Sequence, residues 1–218
     1  MRDTEVDCAE CMAMTRCWGE PMAADAEYIV RRQLLRRGSL LTRQGEKFEA
    51  IYLLVDGCMS LREIAVDGTE RIAAFRTPGE LIGIEGLSGG LYRYTAEPLT
   101  AVAVCRLKRL NLCKAESGEG SLAKHLLEKT VALLQESSFL WAGRSAADRV
   151  AAFLSDFAKR MGQTPERLKL PMTRAQLGSY LGLSEETVVR ALKQLRPQAP
   201  SRPRIRPDAA TGCRECKL

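Results

Sequence analysis

The stretch Thr173–Leu195 constrains this chain more than any other part of it. Thr173 is followed three residues later by Gln176, a capping-box pattern, so a helix starts there. Leu177 and Leu181 give that helix an apolar face. Gly182 then ends it, because glycine accepts the left-handed backbone that a tight turn needs. Ser184 caps a second helix whose buried stripe is Val188, Ala191, Leu192 and Leu195. Two short helices joined by a glycine-containing turn make a helix-turn-helix, in which the second helix enters the major groove of DNA. Glu185, Glu186, Val189, Arg190 and Lys193 lie opposite the stripe, with Glu186 and Arg190 four residues apart and so on one face. A plain helical hairpin with solvated outer charges fits the same spacing. The agreement of both caps, the glycine and the apolar period favours DNA reading.

Charge adds little to that argument. The net charge is +6, which suits a nucleic-acid partner. Residues 196–218 alone hold +4 of it, six Lys/Arg against Asp208 and Glu215. The helix pattern, not the overall charge, carries the DNA expectation. The 218 residues are 45% apolar, enough for one large domain or two smaller ones with their own cores. No apolar run is long enough to span a membrane, and the first residues are too acidic and polar for a secretory leader, so a cytoplasmic protein with no membrane partner is expected.

Ahead of the helix-turn-helix the pattern changes twice. Residues 21–33 read as a short helix from Ala23 to Arg32. From Leu34 to about Leu110, apolar runs of four to six residues alternate with turn signals. Ile51–Val55 precedes Asp56-Gly57, Met59–Val66 precedes Asp67-Gly68, Arg71–Phe75 precedes Pro78-Gly79, and Leu99–Leu107 closes the series. Asp-Gly between β-favouring runs signals a hairpin, and so many short strands predict an antiparallel barrel or jelly roll. Gly83, Gly86, Gly89 and Gly90 mark an irregular loop with a short helix. Ser121–Trp141 is a long helical pattern with two apolar stripes, one through Leu126, Leu133 and Leu140, the other through Leu127, Val131, Leu134 and Trp141. Two stripes predict two partners, the β domain and a second copy of the chain. Gly143–Ser145 is a hinge, and Ala146–Met161 a further amphipathic helix ended by Gly162 and Pro165. Leu168–Pro171 reads as a short strand. After Leu195, prolines 197, 200, 203 and 207 among arginines support neither helix nor hairpin, and a disordered basic tail is expected.

The chain has eight cysteines and one histidine, His125. Cys8, Cys11 and Cys17 crowd into ten residues of a segment too poor in apolar residues to fold alone. In a cytosolic protein such a cluster points to metal or redox chemistry before disulfides. Three thiolates leave one position open on a tetrahedral metal or a four-iron cluster, and a fourth must come from elsewhere. Cys58 reads as a small core residue inside a strand, and composition alone says the same of Cys105. Cys213-x2-Cys216 is half a zinc pattern with no second pair nearby. A single histidine removes most nucleophile–histidine schemes, so no enzyme is expected.

The order of these parts resembles the CRP/FNR family of bacterial transcription regulators, over about residues 5–195. The resemblance is carried by Cys8-x2-Cys11-x5-Cys17, Val104-Cys105, the run Ala147–Phe153, Met172–Arg174, Tyr180–Leu183 and Glu186-Thr187. Within the family the cysteine spacing is similar to that of the FNR-type anaerobic regulators. The resemblance implies an α+β chain in five parts. Residues 1–20 are a cysteine-rich cluster-binding segment, 21–120 an antiparallel β-roll of the cyclic-nucleotide-binding, jelly-roll kind, and 121–143 a dimerisation helix. Residues 144–195 are a helix-turn-helix domain of winged type with the wing missing or altered, and 196–218 the tail.

The resemblance further implies a 4Fe–4S cluster on Cys8, Cys11, Cys17 and Cys105, a homodimer that binds a palindromic promoter site in double-stranded DNA, loss of that binding in oxygen, and contact with RNA polymerase. DNA contacts would come from Thr173, Arg174, Ser184, Glu185, Glu186, Thr187, Val189, Arg190 and Lys193. Glu186 and Arg190 would read base edges of a TTGAT-like half-site, Glu accepting from cytosine and Arg reaching guanine. The FNR-type regulators have serine where this chain has Val189, which can touch a thymine methyl but cannot hydrogen-bond through its side chain.

Three other readings fit parts of the same sequence. A cyclic-nucleotide-responsive regulator is compatible with Gly79-Glu80-Leu81 and Arg93, although Tyr94 stands where a serine or threonine should follow the arginine. Structural zinc, or no metal, at the cysteines leaves a DNA-binding protein with a different effector. A redox enzyme using Cys11 or Cys17 lacks an activating base.

Overall fold

The computed structural model describes residues 2–5, 31–108, 131, 145–164 and 168–195. The strands are β1 (Arg2–Glu5), β2 (Arg31–Leu35), β3 (Ala50–Asp56), β4 (Met59–Ile64), β5 (Glu70–Arg76), β6 (Leu81–Ile82), β7 (Thr95–Pro98) and β8 (Val102–Lys108). The helices are α1 (Gly86–Gly89), α2 (Ala146–Met161), α3 (Arg174–Leu181) and α4 (Glu185–Leu195). The antiparallel roll and the helix-turn-helix are therefore both present. No described helix is long and apolar enough to cross a membrane.

The strands form two antiparallel sheets, one in the order β1-β2-β8-β3-β6 and one in the order β5-β4-β7. Ala50 to Leu54 of β3 are all buried, as expected of a central strand covered on both faces. Their neighbours Phe48, Leu61, Ile82, Tyr92 and Val104 complete the core of the roll. The Tyr92 hydroxyl donates to the Ala50 carbonyl at 2.9 Å and accepts from the Ala50 amide at 3.1 Å, so its polar end is satisfied inside that core.

The two Asp-Gly pairs behave differently. Asp67-Gly68 is a true hairpin turn between paired strands β4 and β5, closed by the Ala65 amide on the Thr69 carbonyl at 2.9 Å. Asp56-Gly57 is not a hairpin, because β3 and β4 lie in different sheets. The chain turns a corner there, beside a second corner at Leu99–Ala101. The Leu99 amide donates to the Cys58 carbonyl and the Cys58 amide to the Thr100 hydroxyl, both at 2.9 Å. Gly57 has φ +88°, and a Cβ on it would stand 2.4 Å from the Ala101 carbonyl oxygen, so the close passage of the two corners requires glycine. For the same reason Leu99–Leu107 is not one strand, since β7 ends at Pro98 and β8 starts at Val102 in the other sheet. Cys58 sits in the corner rather than in a strand, yet it is fully buried.

Other expectations need correction. Arg31 and Arg32 belong to β2, not to a helix, because their pairing with Arg106 and Cys105 outweighs local propensity. Residues 2–5 form an edge strand on β2, so the amino-terminal segment contributes to the sheet. Residues 168–171 form no strand: Pro171 has no amide to donate, and no described segment pairs with them. Leu195 is 39% exposed rather than buried. The expected helix at 121–143 lies outside the described residues apart from Val131, which is helical. The 196–218 tail lies outside them too, as do Cys113, Cys213, Cys216 and His125.

Candidate nucleic-acid interface and sensor strand

Thr173 caps α3 through both halves of a capping box: its hydroxyl accepts from the Gln176 amide at 3.1 Å, and the Gln176 side chain accepts from the Thr173 amide at 2.9 Å. Gly182, at φ 61°, ends α3 in the left-handed conformation. The Ser184 hydroxyl accepts from the Thr187 amide at 3.2 Å and caps α4. Gly178 has a different task. A Cβ there would meet the Leu183 carbonyl oxygen at 2.5 Å, so the turn packs directly on the α3 backbone. Gly178→Ala is expected to cost about 1–3 kcal/mol by overpacking this contact, seen as an earlier midpoint in urea unfolding, with DNA binding reduced in step.

The turn sets the orientation of α4. Val188 and Ala191 are buried against α2 and α3, with Leu192 beside them. Thr173, Arg174, Ser184, Glu185, Glu186, Arg190 and Lys193 are exposed, while Thr187 and Val189 are half-buried. Most of the residues expected to touch DNA are therefore accessible, with anionic and cationic side chains, Glu186 and Arg190, one turn apart on α4. That mixture suits the reading of base edges better than phosphate binding alone.

The opposite side of the unit is docked on the roll. Phe153 of α2 and Tyr180 of α3 meet Phe75 of β5 edge-on, with centroids 5.9 and 5.3 Å away. The Ile72 amide donates to the Ser179 hydroxyl at 2.9 Å. Arg160 of α2 donates through Nη2 to the Phe75 carbonyl at 3.1 Å, and Nη1 lies 3.3 Å from Oε1 of Glu80. Its Nε is 3.2 Å from Asp156 Oδ2, an ion pair within α2. Nothing in the spacing of the sequence marks this contact.

Glu80 and Arg93, the two residues compatible with a nucleotide, are engaged within the protein. The Glu80 carboxylate accepts from the Thr77 amide at 3.0 Å and the Thr77 hydroxyl at 3.1 Å, besides its pair with Arg160. Arg93 pairs with Glu63 at 3.3 Å and lies over the ring of Tyr94. Glu63 is shared with Arg71, whose hydrogen bond, more than any other cause, holds the Glu63 carboxyl below the usual range.

Of the four expected cluster ligands, only Cys105 lies among the described residues. It is 5% exposed on β8, with Arg32 as its partner on one side and Leu53 on the other. Arg32 in turn pairs with Thr4 of β1. Thr4, Arg32 and Cys105 therefore form one row across three strands, spanning two strand spacings or about 10 Å. Cys8 follows Glu5 by three residues, which the chain covers in at most about 10 Å. The strand that precedes the cysteine segment is thus laddered, through β2, to the strand that carries Cys105. Cys11 and Cys17 follow beyond the described residues, and among the latter no three metal-ligating side chains gather. Burial pushes the thiol of Cys58, in the corner between the sheets, up to about 12.

Two family models match the chain in the order of its two folded parts. A cyclic nucleotide-binding domain matches residues 32–114, and a Crp-like helix-turn-helix domain residues 148–199. The transcriptional activator protein FnrA of Stutzerimonas stutzeri is 29% identical over 177 residues, covering 78% of this chain and 72% of that protein. The fumarate and nitrate reduction regulatory protein of Vibrio cholerae is 28% identical over 172 residues, 76% of this chain and 69% of its own length. The structure of FixK2 from Bradyrhizobium japonicum superposes with a TM-score of 0.64 at 33% identity, over 77% of this chain and 84% of that one. The roll and the helix-turn-helix thus recur together in proteins that share this sequence pattern, and the chain belongs to the CRP/FNR family of transcription regulators.

Proposed function

We propose that this regulator responds to oxygen through a 4Fe–4S cluster held by Cys8, Cys11, Cys17 and Cys105, and that as a homodimer it binds a palindromic promoter site. The observation that supports the sensor is the row Thr4–Arg32–Cys105, in which the strand preceding the cysteine segment shares a sheet with the strand that carries Cys105. Arg32 also places a cation next to Cys105, complementary to a thiolate-rich centre. The relatives named for fumarate and nitrate reduction support the signal, since those acceptors replace oxygen in respiration. When bound, such a cluster supplies an oxygen-labile crosslink between the amino-terminal arm and β8. The chain's own part is to hold that arm by the β1–β2 ladder and to present Glu186, Val189 and Arg190 to base edges. An activator's contact with RNA polymerase belongs to the same reading. A nucleotide effector is disfavoured, because Glu80 and Arg93 already have internal partners.

The test is metal analysis of protein purified without air. About four irons and four sulfides per chain, with colour that bleaches in air, are expected. Cys105→Ser should remove most of the iron, while Cys58→Ser should leave it unchanged. One zinc per chain, no colour and no response to air would falsify the oxygen sensor and leave a family member with another signal.

A further inference from the structure

The docked face of the reading unit carries a contact that the family assignment does not explain. Glu80 is held in place before Arg160 arrives, because both Thr77 hydrogen bonds fix its carboxylate within one tight turn. Thr77 is fully buried, so that turn is anchored in the roll. The Arg160 guanidinium then bridges three groups: the Glu80 carboxylate, the Phe75 carbonyl and Asp156 of its own helix. The side chains of Arg160 and Glu80 are both only 16% exposed, so salt screens this pair less than a surface ion pair. Two of the partners lie in the roll and one in α2. A planar fork with several donors can hold all three at once; an ammonium cannot. Meanwhile the reading face of α4 points away and stays open. The contact therefore leaves the exposed face of α4 uncovered.

We propose that Arg160 is a positioning residue for DNA recognition: by joining Glu80 and the Phe75 carbonyl of the roll to α2, it fixes the stance of the reading helix relative to the rest of its subunit. The proposal rests on the reading of the protein as a dimer on a palindrome. In such a dimer the stance of each α4 determines the distance between the two reading helices, and hence the half-site spacing the protein accepts. Loss of the clamp leaves α4 intact but lets each unit swing. The signature is a loss of spacing preference, not a uniform loss of affinity.

The experiment uses the full chain, purified without air, with a DNA site first selected from a random duplex library by the wild type. Dissociation constants are measured for that site and for versions with one base pair added or removed between half-sites. Arg160→Met keeps the apolar stem and removes the fork. It is expected to shrink the preference for the selected spacing by about tenfold, the scale of one imperfect base contact. Arg160→Lys should recover little, and Glu80→Gln should move the preference the same way from the roll side. An unchanged spacing preference in Arg160→Met and Glu80→Gln would overturn the proposal. So would an equal loss at every spacing accompanied by a lower unfolding midpoint, which is the mark of a merely structural role. A wild type that selects no palindrome would instead overturn the dimeric DNA reading itself.

Discussion

Arg190→Ala is expected to reduce affinity for the selected palindrome by about 30-fold to about 10⁴-fold while leaving the fold intact. Arg190 is exposed on α4, one turn after Glu186, and buries nothing in the protein core. Its removal therefore changes stability by no more than about 0.5 kcal/mol. In the proposed complex it would reach guanine bidentately, an interaction worth about 1–3 kcal/mol per half-site. Two half-sites double that to about 2–6 kcal/mol, which gives the range of fold-changes. The decisive feature is selectivity. Without its guanine partner's reader, the protein should discriminate less at that one base pair and as well as before at the others, with little change in the salt dependence of binding. A weakening that is uniform across sequences, with a shallower salt slope, would assign Arg190 to a phosphate instead. Arg190→Lys should behave like alanine in selectivity, because an ammonium has no planar fork.

The parts legible in the sequence were those in which local chemistry and tertiary packing agree. Thr173, Gln176, Gly182 and Ser184 each do in the structure what their residue type favours locally, so both caps and the turn of the helix-turn-helix were readable, although Leu195 is exposed rather than buried. Asp67-Gly68 likewise makes the hairpin that its type favours. Asp56-Gly57 misled because a two-residue signal reports a turn but not which sheet the chain enters afterwards. The strand at Arg31–Leu35 was masked by neighbouring helix-favouring residues, and only its ladder with β8 decides its conformation. The clamp was invisible for a further reason. Arg160, Glu80 and Phe75 come together through the packing of two domains, and no periodicity links residues 80 and 85 positions apart. Gly178 stood in plain view on α3, but only the approach of Leu183 shows why it is glycine.

Phe153→Ala is expected to have the largest effect on stability, about 3–5 kcal/mol. Phe153 is 2% exposed and central to the core shared by the roll and the reading unit. Its ring stacks on Phe157 at 5.4 Å and meets Phe75 and Tyr180 edge-on at 5.9 and 5.7 Å. Truncation leaves a void between three aromatic rings that cannot all move inward, because Phe75 is tied to β5 and the Arg160 bond holds its carbonyl. Against a total of about 5–15 kcal/mol for a domain, the loss is large enough to change how the chain unfolds. The roll keeps its own core around Ile51, Leu54 and Val104, which Phe153 does not touch. Val150, Leu177 and Val188 depend on the shared core and lose its central member. Denaturant unfolding should therefore split into two transitions, the helix-turn-helix first, and specific DNA binding should disappear with the first. Phe153→Leu, which refills most of the volume, should bring the transitions back towards each other. A single transition shifted as a whole would mean that the roll has no stability apart from the unit docked on it.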